Sequence, residues 1–158
     1  MGLADETFDV VWALESVCHC EEKARFLAEA YRVLRRGGRL MVADFFLPRR
    51  DVPIGDRDAM QMWTRGWALP NLATVPGFEQ TLQALGFGQV TYRDLRLHVM
   101  PSSRRLYKAS LVARPIAAAL ERMGVRSRIQ RDNVRASFYQ YRTLRSGAWT
   151  YGLFVATK

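Results

Sequence analysis

The chain has 158 residues, of which 49% are hydrophobic, and a formal net charge of +9. This composition excludes a disordered chain and is sufficient for a single domain, residues 1–158, with a sizeable core. The apolar runs are of strand length, which argues against a membrane-spanning helix, and the acidic start MGLADETFD lacks the apolar segment of a signal peptide. We therefore expect a cytoplasmic protein without a membrane partner.

Cysteine and histidine are scarce. Cys18 and Cys20 are spaced poorly for a disulfide within one structural unit, and a zinc site would need more ligands than His19 and His98 supply. The sequence therefore predicts free thiols and no metal.

The first predicted unit is a parallel strand-helix-strand pair. Residues 8–13 form a Val-rich apolar run, typical of a strand buried on both faces. Residues 21–36 have the apolar spacing of an amphipathic helix, and Gly37 and Gly38 are predicted to cap its C-terminus. Residues 39–46 follow as a second strand, and the tight joints favour a right-handed crossover.

The middle of the chain changes character. Residues 47–75 have prolines at their borders and contain the helix-like stretch DAMQMWTRGWAL, which we interpret as a lid-like insertion over the sheet. Residues 78–85 are then predicted as a short helix ended by Gly86. Residues 89–99 alternate between apolar and polar side chains, which predicts a strand.

The last part of the chain is predicted to be helical until a final strand. Residues 102–123 have a helical pattern interrupted at Pro115, and a second helix is predicted over residues 129–146. The closing AWTYGLFVATK is an apolar strand that we expect to insert into the existing sheet. This order is typical of the second half of an open α/β sheet.

The positive charge is concentrated in a basic helical region, residues 101–146. It contains 11 Lys and Arg against Glu121 and Asp132, a net charge of +9, so the rest of the chain is balanced. One interpretation is an anionic partner such as nucleic acid, a membrane surface or a phosphorylated substrate. The other, which we favour, is a solvated Arg-rich surface. The aromatic residues of the region do not alternate along a strand as a base-stacking platform does, which argues against nucleic acid.

The stretch FDVVWALESVCHCEEKARFLAEAYRVLRRGGRLMVADFF, residues 8–46, carries a resemblance to a known family. Its LRRGGRLMVADF is similar to the LRPGGxLxxxDF pattern of class I S-adenosylmethionine-dependent methyltransferases, with Arg36 in place of proline. PGFEQTLQALGFGQVTYRDL and WTYGLFVATK resemble that family's last helix and strands. The likeness is closest to small-molecule enzymes of the rebeccamycin sugar, tocopherol and sarcosine type. It implies the second half of a Rossmann-like sheet in a three-layer α/β/α fold, with an inserted lid region.

One part of the family pattern is missing. The family binds S-adenosylmethionine with a glycine-rich loop after its first strand, whereas RRGGRL follows a helix here and LGFGQV leads into a strand. We therefore expect a truncated fold that does not bind the cofactor well by itself. The strand from Phe8 to Ala13 would then lie at a sheet edge, which favours a homo-dimer or higher oligomer through that strand.

The resemblance implies site residues at the C-terminal ends of the first two strands, where open α/β sheets bind ligands. Ala13, Leu14 and Glu15 would line the methionine end of the cofactor, mainly through their backbone; the alternative for Glu15 is a structural partner for an arginine. His19 would be the general base that deprotonates an acceptor hydroxyl; the alternative is that it caps the next helix or packs beneath the insertion. Asp44 would orient His19 or the acceptor; the equally open alternative is a cap on the first turn of the insertion.

Met62, Trp63 and Trp67 are candidate residues of the insertion. They are predicted either to line an acceptor pocket or, as we favour, to form the apolar underside of a lid. The resemblance implies transfer of a methyl group to a hydroxyl of a small-molecule acceptor, by a chain that is not self-sufficient. The alternative is a non-catalytic, self-associating module, and a weaker one is a basic nucleic-acid-binding protein.

Overall fold

The computed structural model describes residues 2–122 and 128–158, with residues 114, 117–122 and 128–131 described by their backbone alone. The four strands are β1 Phe8–Leu14, β2 Leu34–Phe46, β3 Gly88–Asp94 and β4 Thr150–Thr157. The five α-helices are α1 Lys23–Val33, α2 Arg57–Gly66, α3 Val75–Ala84, α4 Arg96–Arg122 and α5 Arg128–Ser146. The chain divides into a first unit, Met1–Arg50 with Asn71–Leu95 and Thr150–Lys158, and a second unit, Asp51–Pro70 with Arg96–Trp149.

The first unit contains a mixed four-stranded sheet in the order β1-β2-β4-β3. β1 and β2 run parallel, with Val11 opposite Leu40, and β4 pairs antiparallel with both β2 and β3. The predicted parallel pair and the insertion of the last strand into the sheet are therefore confirmed. Because β1 lies at the sheet edge, the predicted edge position of that strand is confirmed as well.

The core of the first unit lies between α1, α3 and one face of the sheet. Leu27 of α1 and Leu82 of α3 are fully buried, and they join Leu40, Val42 and Phe154 from β2 and β4 in one apolar cluster. Each such side chain contributes about 1.5–3 kcal/mol relative to an exposed one. This packing fixes the position of the β1 and β2 ends, where the candidate site lies.

The other face of β1 is exposed. The side chains of Val10, Trp12 and Leu14 are 43%, 67% and 56% exposed, whereas Ala13 on the core face is 4% exposed. The expectation of a strand buried on both faces is therefore wrong for this chain alone. Together these three exposed side chains form an apolar surface. Apolar surfaces of this kind often mark a site where another protein binds.

The helix cap predicted at Gly37 and Gly38 is also wrong. α1 ends at Val33, and Leu34 turns to an extended conformation because its fully buried side chain belongs to the core. The two glycines instead lie within β2 and bond to the end of the chain: the N–H of Gly37 donates to Lys158 O at 2.7 Å, and the N–H of Lys158 donates to Gly38 O at 2.9 Å. Gly37 has a φ of +78°, which favours glycine.

The strand predicted over residues 89–99 is too long. β3 ends at Asp94, whose carboxylate accepts from the Thr150 hydroxyl at 2.9 Å, and the N–H of Leu95 makes the last bond to the sheet, with Tyr151 O. α4 then begins at Arg96, earlier than predicted. The apolar alternation that suggested a strand continues to Leu97, but that side chain is 73% exposed.

The second unit is helical and consists of α2, α4 and α5. Trp63 of α2 is fully buried and stacks on Trp149, with ring centroids 4.4 Å apart. α4 continues through both Pro101 and Pro115, so the predicted interruption at Pro115 is wrong. The predicted end of that helix, at Met123, lies outside the described residues. None of the described helices is long and apolar enough to cross a membrane.

Candidate functional site at the carboxyl ends of two parallel strands

Glu15 and Asp44 lie near the C-terminal ends of the parallel strands β1 and β2. Glu15 directly follows β1 and has a φ of +46°, a left-handed conformation that is uncommon outside glycine and that collects at functional sites. Its N–H donates to the carbonyl of Ala43 at 2.9 Å, which keeps the end of β1 against β2. The sharp turn leads the chain away from the sheet and into a loop.

Asp44 holds that loop. Its side chain is 1% exposed, and each carboxylate oxygen accepts a backbone N–H: one from Cys18 at 2.9 Å, the other from Phe45 at 2.8 Å. The Cys18 bond anchors the 3-10 turn Val17–His19 to the sheet. Asp44 therefore anchors the loop after β1 through a backbone N–H group, and its predicted roles, orienting His19 or the acceptor or capping the insertion, stay predictions.

Cys18 is a neutral thiol in this position. It is 2% exposed, and burial, followed by the neighbouring Asp44 carboxylate, raises its pKa well above the ordinary value of 9.0. The thiolate is the nucleophilic form of cysteine, so Cys18 is suited to packing rather than to covalent catalysis. Both Cys18 and Cys20 are free thiols, as predicted.

Lys23 secures the loop from its other end, which the sequence did not indicate. Its ammonium donates to the carbonyl of Cys20 at 2.7 Å and to that of Asn71 at 3.0 Å. Burial lowers the pKa of Lys23. The Asn71 amide donates in turn to Glu21 O at 3.0 Å, so the loop is connected to the segment that precedes α3.

Tyr151 is a second residue that sequence reasoning missed. β4 runs antiparallel to β2, so its first residues lie at the same sheet edge as Asp44. The Tyr151 side chain is 6% exposed, and its hydroxyl lies 3.5 Å from the carbonyl oxygen of Ala43, the group that also accepts from Glu15. Burial, and then the negative charge of Glu15, raise the pKa of this phenol. Only the strand pairing brings a residue more than a hundred positions away into this site.

His19 ends the 3-10 turn and is exposed, and its N–H donates to Ser16 O at 3.2 Å. It therefore sits on the loop that Asp44 anchors, at the edge where a ligand would bind. Its role as a base stays a prediction.

The described residues contain no complete site for S-adenosylmethionine, the cofactor that the family binds. Ala13 is buried, and the Glu15 N–H is already bonded within the sheet, so the strand end offers the exposed side chains of Leu14 and Glu15. The sequence has no glycine-rich loop that follows a strand and opens a helix. Ala13, Leu14 and Glu15 do not by themselves form a site for the whole cofactor, and their contact with its methionine end stays a prediction.

The candidate lid residues belong to the second unit. Trp63 is fully buried against Trp149 and makes an edge contact with Trp67, at 6.4 Å between ring centroids. Met62 is half-buried. Their assignment to an acceptor pocket or a lid stays a prediction. Over the described part of the chain, no group of three or more His, Cys, Asp or Glu is placed to hold a metal ion.

Known proteins are similar to this chain in sequence. A family model for a methyltransferase domain matches residues 1–42. The chain is 36% identical over 107 residues to a 2-methyl-6-phytyl-1,4-hydroquinone methyltransferase of Synechocystis sp., a match that covers 65% of this chain and 34% of the relative. It is 35% identical over 97 residues to the sarcosine/dimethylglycine N-methyltransferase of Halorhodospira halochloris, covering 61% and 33%. The chain thus spans about a third of the length of these relatives.

Solved structures share the fold. A putative sarcosine dimethylglycine methyltransferase from Galdieria sulphuraria superposes with a TM-score of 0.75 at 16% identity, over 100% of this chain and 56% of that one. The cyclopropane synthase MmaA2 from Mycobacterium tuberculosis gives the same TM-score at 16% identity, over 98% and 56%. The mixed four-stranded sheet therefore matches a portion of methyltransferase folds. The resemblance in the sequence is confirmed: the chain is homologous to part of the class I S-adenosylmethionine-dependent methyltransferases.

Proposed function

We propose that this chain is the acceptor-side part of an S-adenosylmethionine-dependent methyltransferase that methylates a hydroxyl group of a small molecule. The observation that carries the proposal is the anchored loop after β1, in which Asp44 holds the turn Val17–His19 at the carboxyl edge of the sheet. Ligands of open α/β sheets bind at this edge. The family match over residues 1–42 includes this loop.

Methylation of a hydroxyl group is helped by a general base. A hydroxyl attacks faster when its proton is removed as the new bond forms, and a neutral imidazole accepts a proton near pH 7. His19 is exposed on the anchored loop and is the candidate for this role. Asp44 acts through the backbone, as a positioning residue that fixes the loop carrying the imidazole. S-adenosylmethionine, when bound, supplies the activated methyl group.

The chain is proposed to need a further polypeptide for cofactor binding. In this view it forms the second half of a Rossmann-like, three-layer methyltransferase sheet, and residues 47–75 are a lid. Calorimetric titration of the chain with S-adenosylmethionine tests this proposal. We expect millimolar or absent binding, and micromolar binding by the chain alone would contradict it.

Methyl transfer itself is tested after a cofactor-binding half has been supplied. The chain is joined to the glycine-loop half of a relative, and transfer of a labelled methyl group to hydroxylated acceptors is measured. We expect His19→Gln to lower kcat by about 10²–10⁴-fold. His98→Gln is the matched control, because His98 is exposed on α4 in the second unit. Equal activity of the two variants would refute the base role.

The second candidate function is a non-catalytic, self-associating module. It is favoured by the exposed apolar face of β1, where Trp12 is 67% exposed at the sheet edge. A second copy is the proposed occupant, because two such edges complement each other. An assembled dimer that shows no methyl transfer in the joined form would support the module over the enzyme part.

A further inference from the structure

A basic pocket lies between α4 and α5, wholly within the second unit. Its volume is about 580 Å³, within the range of small-molecule sites. Four cationic side chains and two tyrosines line most of it: Arg104, Lys108, Arg142, Arg145, Tyr107 and Tyr141. None of its lining residues is acidic. We call this the α4–α5 pocket.

The cations of the α4–α5 pocket are like charges placed side by side. Arg104 and Lys108 are four residues apart on α4, and Arg142 and Arg145 are three apart on α5. Like charges at this spacing repel each other on a helix, so the arrangement lowers the stability of the two helices when no anion is bound. An anion between the helices would remove that repulsion.

The aromatic side chains give the pocket a fixed wall. The ring of Tyr107 stacks on Phe138, with centroids 5.1 Å apart, and lies 4.9 Å from the ring of Tyr141. The Arg142 guanidinium lies over the other ring of this stack, 5.5 Å from the Phe138 centroid. Because these ring faces contact each other, they are less available for stacking on successive bases, as a single-stranded nucleic acid requires.

We propose that the α4–α5 pocket binds a phosphorylated small molecule that carries an apolar or aromatic group. Arginine presents a planar fork of donors that matches phosphate oxygens, and lysine adds a compact charge. Leu111, also in the lining and 47% exposed, provides the contact for the apolar group. This site consists of second-unit residues alone and does not depend on the proposed methyl transfer.

Phenyl phosphate is the probe, titrated calorimetrically into the full chain, with phenol and inorganic phosphate as partial ligands. We expect phenyl phosphate to bind more tightly than either, and Arg104→Gln and Arg142→Gln each to weaken binding at least tenfold. Arg105→Gln is the matched control, because Arg105 is exposed on the same helix and does not line the pocket. We expect it to change the affinity less than twofold.

Three results would overturn the proposal. One is no detectable binding of phenyl phosphate. Another is an equal loss in Arg104→Gln and Arg105→Gln, which would mean general charge attraction. The third is tight, salt-sensitive binding of a single-stranded oligonucleotide or an anionic vesicle that Arg142→Gln leaves unchanged. Circular dichroism checks that each variant is folded, and Lys108→Gln replaces any variant that is not.

Discussion

Replacing Asp44 with asparagine tests the anchor on which the candidate site depends. Both oxygens of the buried Asp44 carboxylate accept backbone N–H groups, from Cys18 at 2.9 Å and from Phe45 at 2.8 Å. An asparagine has one oxygen and one NH₂ group. In either orientation of the amide, its NH₂ group therefore faces one of the two backbone N–H groups, and that N–H loses its acceptor. Loss of one charge-assisted hydrogen bond, with an N–H left unsatisfied, costs about 2–4 kcal/mol. We expect Asp44→Asn to lower the free energy of unfolding by this amount.

Urea denaturation followed by tryptophan fluorescence and circular dichroism measures the change. Asp51→Asn removes the same charge at an exposed position and is expected to change the free energy by less than ~0.5 kcal/mol. Hydrogen exchange locates the effect: the amide of Cys18 is expected to exchange faster in Asp44→Asn. If the two variants were equally stable, or if Cys18 exchange were unchanged, the carboxylate would not be what holds the loop.

Three further predictions concern helix packing, pH and assembly. Gly66→Ala would place a Cβ 2.6 Å from a side-chain carbon of α5, so we expect urea titrations to show that the free energy of unfolding falls by about 1–3 kcal/mol. Gly55→Ala is the control, because the space around Gly55 is open, and we expect it to change this free energy hardly at all. Because the raised pKa of Cys18 keeps its thiol protonated in the native state while the unfolded chain releases the proton, the free energy of unfolding is retained below pH 9 and falls above it, by up to about 1.4 kcal/mol per pH unit. Urea titrations at several pH values should show that Cys18→Ala flattens this slope and that Cys20→Ala does not. Light scattering is expected to give a dimer that Trp12→Glu converts to a monomer, and a monomeric unmodified chain would count against the proposed assembly through β1.

The sequence predicted the sheet better than the limits of its elements. Hydrophobic runs identify strands because burial requires them, so β1, β2 and β4, the parallel pairing of β1 with β2 and the insertion of β4 into the sheet were predicted correctly. The predicted limits of the helices and strands were wrong where tertiary contacts outweigh the local sequence pattern. Gly37 and Gly38 have the pattern of a helix cap, yet hydrogen bonds to Lys158 draw them into the sheet. Pro115 indicates a break, yet α4 passes through it.

The candidate site was readable only in part. Asp44 was found because it ends an apolar strand, but its partner is the backbone N–H of Cys18, and a backbone group has no signature in a sequence. Tyr151 was missed because its approach to Ala43 depends on β4 running antiparallel beside β2. Lys23 was missed for a similar reason, since two of its acceptors are the carbonyls of Cys20 and Asn71. The type of side chain therefore indicated which residues are candidates for the site, whereas their contacts depend on the fold.

The α4–α5 pocket, in contrast, did leave a signal in the sequence. Its lining on α4 comprises residues 104, 107, 108 and 111, and its lining on α5 comprises residues 141, 142, 145 and 146. The α4 set follows the spacing i, i+3, i+4, i+7 and the α5 set the spacing i, i+1, i+4, i+5, so each set lies on one face of its helix. The pattern was overlooked because that spacing is usually sought among apolar residues, whereas here two cations, one tyrosine and only one leucine occupy it on α4. Net charge alone treats all 11 basic residues of the region as equivalent. The helical period separates those that face a shared pocket from those, such as Arg105, that do not, and this separation is what the paired glutamine variants measure.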